Sequence, residues 1–305
     1  MIVSASSSNT SLKRKRLPPW LRVRLPGSSD FAETKGLVAK KGLHTVCENA
    51  RCPNIFECYE KKSATFLIMG EICTRFCTFC NIAGARPVTP QPLDPGEPNR
   101  VAEAAVELGA KHVVITSVTR DDLVDGGAAH FAATIRAVHK ALPGASVEVL
   151  IPDFKADSDA LECVIAAEPD IINHNVETVV ELQPLIRPQA NFERSLGVLS
   201  LVKKLSPGLL TKSGLMVGLG EDDEQVRQTL VQLAGIDCDI VTIGQYLSPS
   251  RKHREPDRYV FPETFDAYAE FGHAAGIPYV FSGPRVRSSY NAATIMNRLK
   301  ANLES

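Results

Sequence analysis

The chain has 305 residues, of which 44% are hydrophobic, and its 34 basic and 35 acidic residues give a formal net charge of -1. A chain of this length can bury one large core, and the near-zero charge provides no overall attraction to nucleic acid or to an anionic membrane. No run of 18 apolar residues is present, so the sequence predicts no membrane-spanning helix. A globular enzyme or binding protein is the class that these totals favour.

The N-terminal region is unevenly charged. No acidic residue precedes Asp30, whereas six basic residues do: Lys13, Arg14, Lys15, Arg16, Arg22 and Arg24. Such a run is usually a solvated tail, and the alternative is electrostatic attraction to an acidic protein partner. The letters KRKR also resemble a nuclear address, but nothing else in the sequence supports a role with nucleic acid.

A first group of cysteines follows in the run CENARCPNIFEC, which contains Cys47, Cys52 and Cys58 at CxxxxCxxxxxC spacing. Thiolates are soft ligands that suit iron–sulfur clusters, and three of them leave one coordination place to be filled by another group. The run therefore indicates a cluster site with a fourth ligand from elsewhere.

A second group lies in the run GEICTRFCTFC, directly after an apolar, strand-like stretch over residues 64–69. Its CxxxCxxC spacing puts Cys73, Cys77 and Cys80 on one short loop, and no fourth cysteine follows nearby. Three thiolates can hold three irons of a cubane cluster and leave the fourth iron open. The loop resembles that of the radical S-adenosylmethionine (SAM) superfamily, in which the open iron binds SAM and an electron from the cluster cleaves it to a 5'-deoxyadenosyl radical.

Other interpretations of the cysteines stay open at this point. A structural zinc site usually needs four ligands, and the nearest histidines, His44 and His112, lie well outside the loop. A disulfide is the second alternative. The two remaining cysteines, Cys163 and Cys238, lie singly in apolar surroundings and are predicted to be small core residues.

Strand-like and helix-like stretches alternate downstream. Strands are predicted over residues 65–69, 112–117, 146–151, 170–173, 214–217 and 238–243, with a seventh candidate over 278–281. Helical patterns cover residues 100–108, 128–142, 158–167, 192–205, 224–234 and 263–275. Six successive βα units predict a parallel sheet with helical crossovers, which is either an open doubly wound sheet or a curved partial barrel.

The carboxyl ends of these strands are the expected place for chemistry, because active sites in parallel α/β folds collect there. SAM needs hydrogen-bond partners for its ribose, a countercharge for its carboxylate and a glycine-lined surface for its adenine. We assign Asn175 and Glu177 to the ribose, Arg187 to the carboxylate, and Gly218 with Gly220 to the adenine.

Each of these residue types also has an ordinary structural use. Asn and Glu cap helices, glycines form turns, and a single arginine is often a surface charge. His174, which precedes Asn175, is expected to make a local hydrogen bond rather than to act as a general base.

The run GPRVRSSY near the C-terminus contains Ser288 and Ser289. By themselves these serines predict the N-cap of a helix over residues 291–303. The order CxxxxCxxxxxC, CxxxCxxC and RSSY, however, resembles the lipoyl synthase family from about Leu17 to Tyr290. In that family the first cysteine trio and the second serine hold an auxiliary 4Fe-4S cluster. The resemblance thus implies these auxiliary ligands: Cys47, Cys52, Cys58 and Ser289.

The resemblance also implies a fold and a reaction. The fold would be a partial (βα)6 TIM-type barrel over residues 63–283, with an N-terminal extension over residues 1–62 and a C-terminal segment over residues 284–305. The reaction would insert sulfur at C6 and C8 of an octanoyl chain that is amide-linked to a lysine of a lipoyl carrier domain. Two 4Fe-4S clusters and SAM would take part.

Partners and location follow from the same resemblance. The carriers would be the E2 subunits of 2-oxoacid dehydrogenases and the H protein of glycine cleavage, and a ferredoxin or flavodoxin would donate the electron. Cysteines at metal-ligand spacing favour a reducing compartment, and we expect a bacterial cytoplasm rather than an organelle reached by a transit peptide. Another sulfur-inserting enzyme resembling biotin synthase, or a metal-stapled binding protein without catalysis, is the alternative function.

Overall fold

The structure is a computed structural model that describes residues 16–23, 27–85 and 88–289. Most of the N-terminal basic run, the tyrosine of RSSY and the helix predicted over residues 291–303 lie outside these residues. Within them, no helix is long and apolar enough to cross a membrane.

Ten strands occur in this part of the chain. They are β1 (His44–Thr45), β2 (Thr65–Ile68), β3 (Ile72–Cys73), β4 (Ala83–Gly84), β5 (His112–Ser117), β6 (Ser146–Leu150), β7 (Ile171–Asn173), β8 (Leu210–Val217), β9 (Ile240–Gln245) and β10 (Tyr279–Gly283).

The α-helices of the described residues alternate with the longer strands. They are α1 (Asp30–Lys40), α2 (Val46–Asn49), α3 (Ile55–Glu60), α4 (Glu97–Glu107), α5 (Ala128–Ala141), α6 (Ser158–Ile165), α7 (Gln183–Ile186), α8 (Phe192–Leu205), α9 (Asp223–Ala234) and α10 (Pro262–Ala274). The predicted helices and strands are confirmed with shifts at their ends, and the seventh strand candidate is β10. The sequence patterns did not predict α1, the short helices α2, α3 and α7, or the short strands β1, β3 and β4.

The main sheet is singly wound. Its order is β1-β2-β5-β6-β7-β8-β9-β10, and every neighbouring pair from β2 to β10 is parallel. A doubly wound sheet reverses its strand order at a switch point, whereas this order never reverses, so the partial-barrel alternative is confirmed. The sheet is not closed, and β1 extends it by pairing antiparallel with β2. Because β1 belongs to the predicted N-terminal extension, that extension shares the barrel sheet.

A polar layer fills the amino-terminal part of the barrel interior. Glu148 on β6 and Lys212 on β8 are fully buried, and the Lys212 ammonium lies 2.9 Å from the Glu148 carboxylate. Asn173 donates to the same carboxylate at 3.1 Å. Burial raises the pKa of Glu148, but the Lys212 charge overcomes it and lowers that pKa to about 2. Leu150 and Gly214, two residues further along the same strands, line a cavity above this layer.

Candidate active site

One cavity of about 360 Å³ opens at the carboxyl ends of the barrel strands. Six of the eight cysteines line it: Cys47, Cys52, Cys58, Cys73, Cys77 and Cys80. Ser288 and Ser289 line it too, so both cysteine groups and the RSSY serines meet at one place. Cys238 is instead buried in the core, and Cys163 packs against the core from α6.

The second cysteine group lies on a loop, here called the cluster loop (residues 70–82), that is fixed by its neighbours. Thr74 exchanges hydrogen bonds with the segment that follows β5, through its amide to Thr119 at 3.0 Å. The amide of Thr78 donates to Ile186 at 2.9 Å, and His253 donates to the Cys80 carbonyl at 3.1 Å. Three of the barrel's βα connections therefore hold this loop in place.

Arg75, between Cys73 and Cys77, makes the strongest of these attachments. Its guanidinium donates to both carboxylate oxygens of Asp121 at 2.8 Å each, and to both of Asp153 at 2.7 and 2.9 Å. The Arg75 side chain is only 8% exposed and that of Asp153 is fully buried. Bidentate pairs of this kind are strong and directional, so Arg75 ties the cluster loop to the connections after β5 and β6.

The first cysteine group lies on a segment, here called the auxiliary segment (residues 46–58), that begins directly after β1. The side chain of Thr45 caps α2 by accepting from Glu48, and the amide of Cys52 donates to the Cys47 carbonyl at 3.0 Å. Asn54, 1% exposed, donates to the Arg285 carbonyl at 2.7 Å. This bond joins the auxiliary segment to the C-terminal segment that carries Ser289.

The thiols of both cysteine groups are unbridged and mostly withdrawn from solvent. All eight cysteines are free. Among the described residues no three His, Cys, Asp or Glu side chains are arranged around a single metal ion. Burial raises the pKa of Cys47, Cys58 and Cys80 to about 12, so these thiols are neutral until positive charge arrives. Iron ions supply that charge and stabilise thiolates, which fits a cluster in each group.

Two cysteines of the cluster loop have polar neighbours. The amides of Arg75 and Thr119 both point at the sulfur of Cys73, at 3.4 and 3.3 Å. Burial raises the pKa of Cys77, and the adjacent Arg187 guanidinium opposes that rise. Hydrogen bonds and positive charge near thiolate sulfur raise the reduction potential of a cluster, so these groups would influence how readily a cluster held by these cysteines accepts an electron.

Three of the predicted SAM residues line the cavity together: Asn175, Glu177 and Arg187. Asn175 donates to the Glu177 carboxylate at 2.9 Å, and Glu177 has a positive φ of 66°. Burial raises the pKa of Glu177, and Arg187 opposes the rise. The Asn175 Oδ1 and the Arg187 Nε are buried without a hydrogen-bond partner. Such atoms are costly unless a ligand satisfies them, so the cavity fits a polar ligand such as SAM.

The other two predicted residues, Gly218 and Gly220, do not line the cavity. Both have positive φ, 94° and 117°, and a side chain at Gly218 would meet Gln245 and the Arg258 carbonyl. The structure therefore explains these glycines by a tight turn against the loop that follows β9. Their contact with adenine stays a prediction. The His174 ring is held by Ile151 at 2.9 Å and Ser195 at 3.0 Å, so its hydrogen bonds join separate segments of the chain and are not the local bond that the sequence predicted.

Gly244 on β9 is a cavity residue that the sequence analysis missed. A Cβ at this position would clash with the Val286 carbonyl, three residues before Ser289. Only glycine lets the C-terminal segment approach β9 this closely. No sequence pattern indicates this, because the approaching backbone is distant along the chain.

Replacing Gly244 by Ala should displace the C-terminal segment. We expect the free energy of unfolding to fall by about 1–3 kcal/mol because the site is overfilled, and iron content after anaerobic reconstitution to fall as Ser289 moves. Urea unfolding and iron analysis measure the two effects. Gly144→Ala is the control, since no atom lies within 4 Å of its added Cβ. Unchanged stability and iron in Gly244→Ala would contradict the expectation.

This chain is similar to known proteins over nearly its whole length. A model of the radical SAM superfamily matches residues 67–233, and a model of the N-terminal domain of lipoyl synthase matches residues 4–52. A lipoyl synthase of Nitratidesulfovibrio vulgaris is 57% identical over 96% of this chain and 97% of its own length. One from Caldanaerobacter subterraneus is 54% identical over 91% of this chain and 96% of its own length.

Solved structures support the same fold. Methylornithine synthase superimposes with a TM-score of 0.50 at 16% identity, covering 90% of this chain and 93% of that one. Streptococcus suis SuiB bound to S-adenosylmethionine gives a TM-score of 0.57 at 10% identity, covering 75% of this chain and 53% of that one. At these identities the likeness concerns the arrangement of strands and helices alone.

Proposed function

This chain belongs to the lipoyl synthase family of radical SAM enzymes, and from that membership we propose which of its residues perform each part of sulfur insertion. The enzyme places two sulfur atoms at C6 and C8 of a protein-bound octanoyl chain, with SAM and two 4Fe-4S clusters. One observation supports this assignment of residues. Two trios of free cysteines, Ser289 and three polar residues predicted to bind SAM all line a single cavity.

The two cysteine groups have separate tasks in this proposal. Cys73, Cys77 and Cys80 hold the cluster whose open iron takes SAM. A second set of ligands holds the auxiliary cluster: Cys47, Cys52, Cys58 and Ser289. When bound, the clusters and SAM supply the electron, the 5'-deoxyadenosyl radical and the sulfur. Serine oxygen is a hard and uncommon ligand for iron–sulfur sites, so Ser289 would hold iron less tightly than the three thiolates.

The polar residues of the cavity orient SAM. Arg187 supplies a buried positive charge for the SAM carboxylate, and Asn175 with Glu177 offers hydrogen bonds to the ribose hydroxyls. Gly218 and Gly220 stay our proposal for the adenine surface, which requires the turn after β8 to approach the cavity when SAM binds.

The reaction needs a radical because the target is a saturated carbon chain. Its C–H bonds offer no acidic proton, so general acids and bases have little to act on. The cavity wall includes Val46, Leu67 and Leu150, which provide apolar contact for an alkyl chain.

The enzyme acts on lipoyl carrier domains. We propose that its carriers are the E2 subunits of 2-oxoacid dehydrogenases and the glycine-cleavage H protein, and that a ferredoxin or flavodoxin donates the electron. The free state of all eight cysteines supports a reducing compartment such as a bacterial cytoplasm.

Anaerobic reconstitution followed by a product assay tests this function. The wild-type protein should bind two 4Fe-4S clusters, and the variant with Ala at Cys73, Cys77 and Cys80 should bind one. With SAM, a reductant and an octanoylated lipoyl-domain peptide, mass spectrometry should show two added sulfur atoms. Bound zinc in place of iron, or SAM consumption without any change in peptide mass, would overturn the proposal.

A further inference from the structure

Asn49, between Cys47 and Cys52, contacts both ends of the cluster loop. Its side-chain Nδ2 donates to the Glu71 carboxylate at 2.6 Å, two residues before Cys73. Its backbone carbonyl accepts from the side chain of Asn81 at 2.8 Å, one residue after Cys80. One residue of the auxiliary segment therefore joins the beginning and the end of the loop that holds the other cysteine group.

Neighbouring contacts hold both the Glu71 carboxylate and the helix that carries Asn49 in place. His44, on β1 and directly ahead of the auxiliary segment, lies 3.3 Å from the same Glu71 carboxylate. Asn49 ends the short helix α2, whose other end is fixed by the Thr45 cap. The backbone that carries Cys47 is thus held on one side by β1 and on the other by the cluster loop.

We propose that Asn49 is a positioning residue that sets the separation of the two clusters. The inference rests on the proposed function, because it concerns how two occupied sites act on one acyl chain. The carbon that loses a hydrogen must lie within reach of both the radical source and the sulfur donor. Misplacement by about 1 Å can cost about a hundredfold in rate, so a direct tie between the two ligand-bearing segments has a clear catalytic use.

Loss of this bridge should affect only the coupling between hydrogen abstraction and sulfur delivery. SAM cleavage needs only the cluster loop, and cluster binding needs only the cysteines and Ser289. Loss of the Asn49 side chain should therefore leave both intact while the acyl radical meets the sulfur donor less often. Two hydrogen abstractions require two molecules of 5'-deoxyadenosine per lipoyl product, and a loosened bridge should raise this ratio.

The test compares Asn49→Ala, Asn81→Ala and the double variant, all reconstituted anaerobically. We expect wild-type iron content, a 5'-deoxyadenosine to product ratio raised roughly threefold to tenfold, and amide exchange in residues 71–81 faster by a similar factor, as loss of one hydrogen bond predicts. The magnetic interaction between the two reduced clusters, measured by electron paramagnetic resonance, should change in the variants. Asn49→Gln keeps the amide and should restore part of the coupling.

Asn99→Ala is the matched control, since Asn99 is exposed on α4 and does not line the cavity. It should behave as wild type in every measurement. A wild-type product ratio and an unchanged magnetic interaction in the double variant would overturn the role of Asn49. Failure of the wild-type protein itself to form lipoyl product would instead refute the proposed function, so the two failures are distinguishable.

Discussion

Replacing Cys47, Cys52 and Cys58 by Ala should eliminate the lipoyl product while reductive formation of 5'-deoxyadenosine stays measurable. In the proposed assignment, SAM cleavage requires only the iron held by the cluster loop, whose cysteines are untouched in this variant. Sulfur delivery would require the auxiliary cluster, which would lose three of its four proposed protein ligands. Chromatography of the nucleoside and mass spectrometry of the peptide measure the two steps separately.

Two further variants complete this test. Ser289→Ala should act in the same direction as the triple variant, unless Ser288, which lines the same cavity, takes its place. Cys163→Ala is the control, because that thiol packs against the core from α6. Lipoyl product from the triple variant would mean that the auxiliary cluster is structural and that the sulfur comes from another source.

Replacing Arg75 by Met should lower the free energy of unfolding by about 3–5 kcal/mol at neutral pH. This range is typical when one partner of a buried ion pair is removed, because the other charge is left buried without compensation. The remaining charge is mainly Asp153, whose fully buried side chain would keep the partly exposed Arg194, at 3.3 Å, as its ion-pair partner. The cluster loop would also lose its tie to the connections after β5 and β6, so SAM cleavage should fall at least tenfold. Urea unfolding and nucleoside analysis measure the two effects.

The stability loss should depend on pH in a defined direction. Burial raises the pKa of Asp153, but the Arg75 guanidinium overcomes it and leaves that pKa well below its usual value. A carboxyl with a depressed folded-state pKa contributes stability above its unfolded pKa of about 3.9, and the contribution is lost as the pH falls toward the folded value. The difference between wild type and Arg75→Met should therefore shrink below about pH 4.

Arg194→Met is the matched control for this prediction. Arg194 reaches the same Asp153 carboxylate at 3.3 Å, but its side chain is 37% exposed. Its removal leaves the bidentate Arg75 pair intact and should cost under about 1 kcal/mol, since partly exposed ion pairs contribute little. Equal losses in the two variants would show that Arg75 has no special role.

The polar layer of the barrel includes residues of β8 that the sequence pattern did not assign to a strand. Strand β8 begins at Leu210, yet the pattern predicted it only from residue 214, because Thr211, Lys212 and Ser213 are polar. A lysine in a central strand fits no alternation of apolar and polar residues. It is tolerated because Glu148, 64 residues earlier in the chain, pairs with it inside the barrel. The helix α1 was missed for a related reason, since only two of its residues, Thr34 and Val38, are buried and its apolar pattern is weak.

The two cysteine groups and the order of the βα units were predictable from local stretches of sequence. Cysteine spacing is a local property, because three thiolates on one short loop remain close whatever the rest of the chain does. Strand and helix periods are local as well, so each unit could be predicted from its own residues. The partial barrel followed once the family resemblance selected between the two arrangements that alternating units allow.

Contacts between distant groups depend on how the strands and loops are arranged in the folded protein. The two cysteine trios and Ser289 face one cavity only in the folded protein. Arg75 likewise binds Asp121 and Asp153, which lie far along the chain. Asn49 joins both ends of the cluster loop through contacts of the same kind. Gly218 and Gly220 were predicted to lie in the SAM site, but their turn packs outside the cavity. Such pairings are set by sheet register and by the direction of each side chain after a strand ends, which no local pattern encodes.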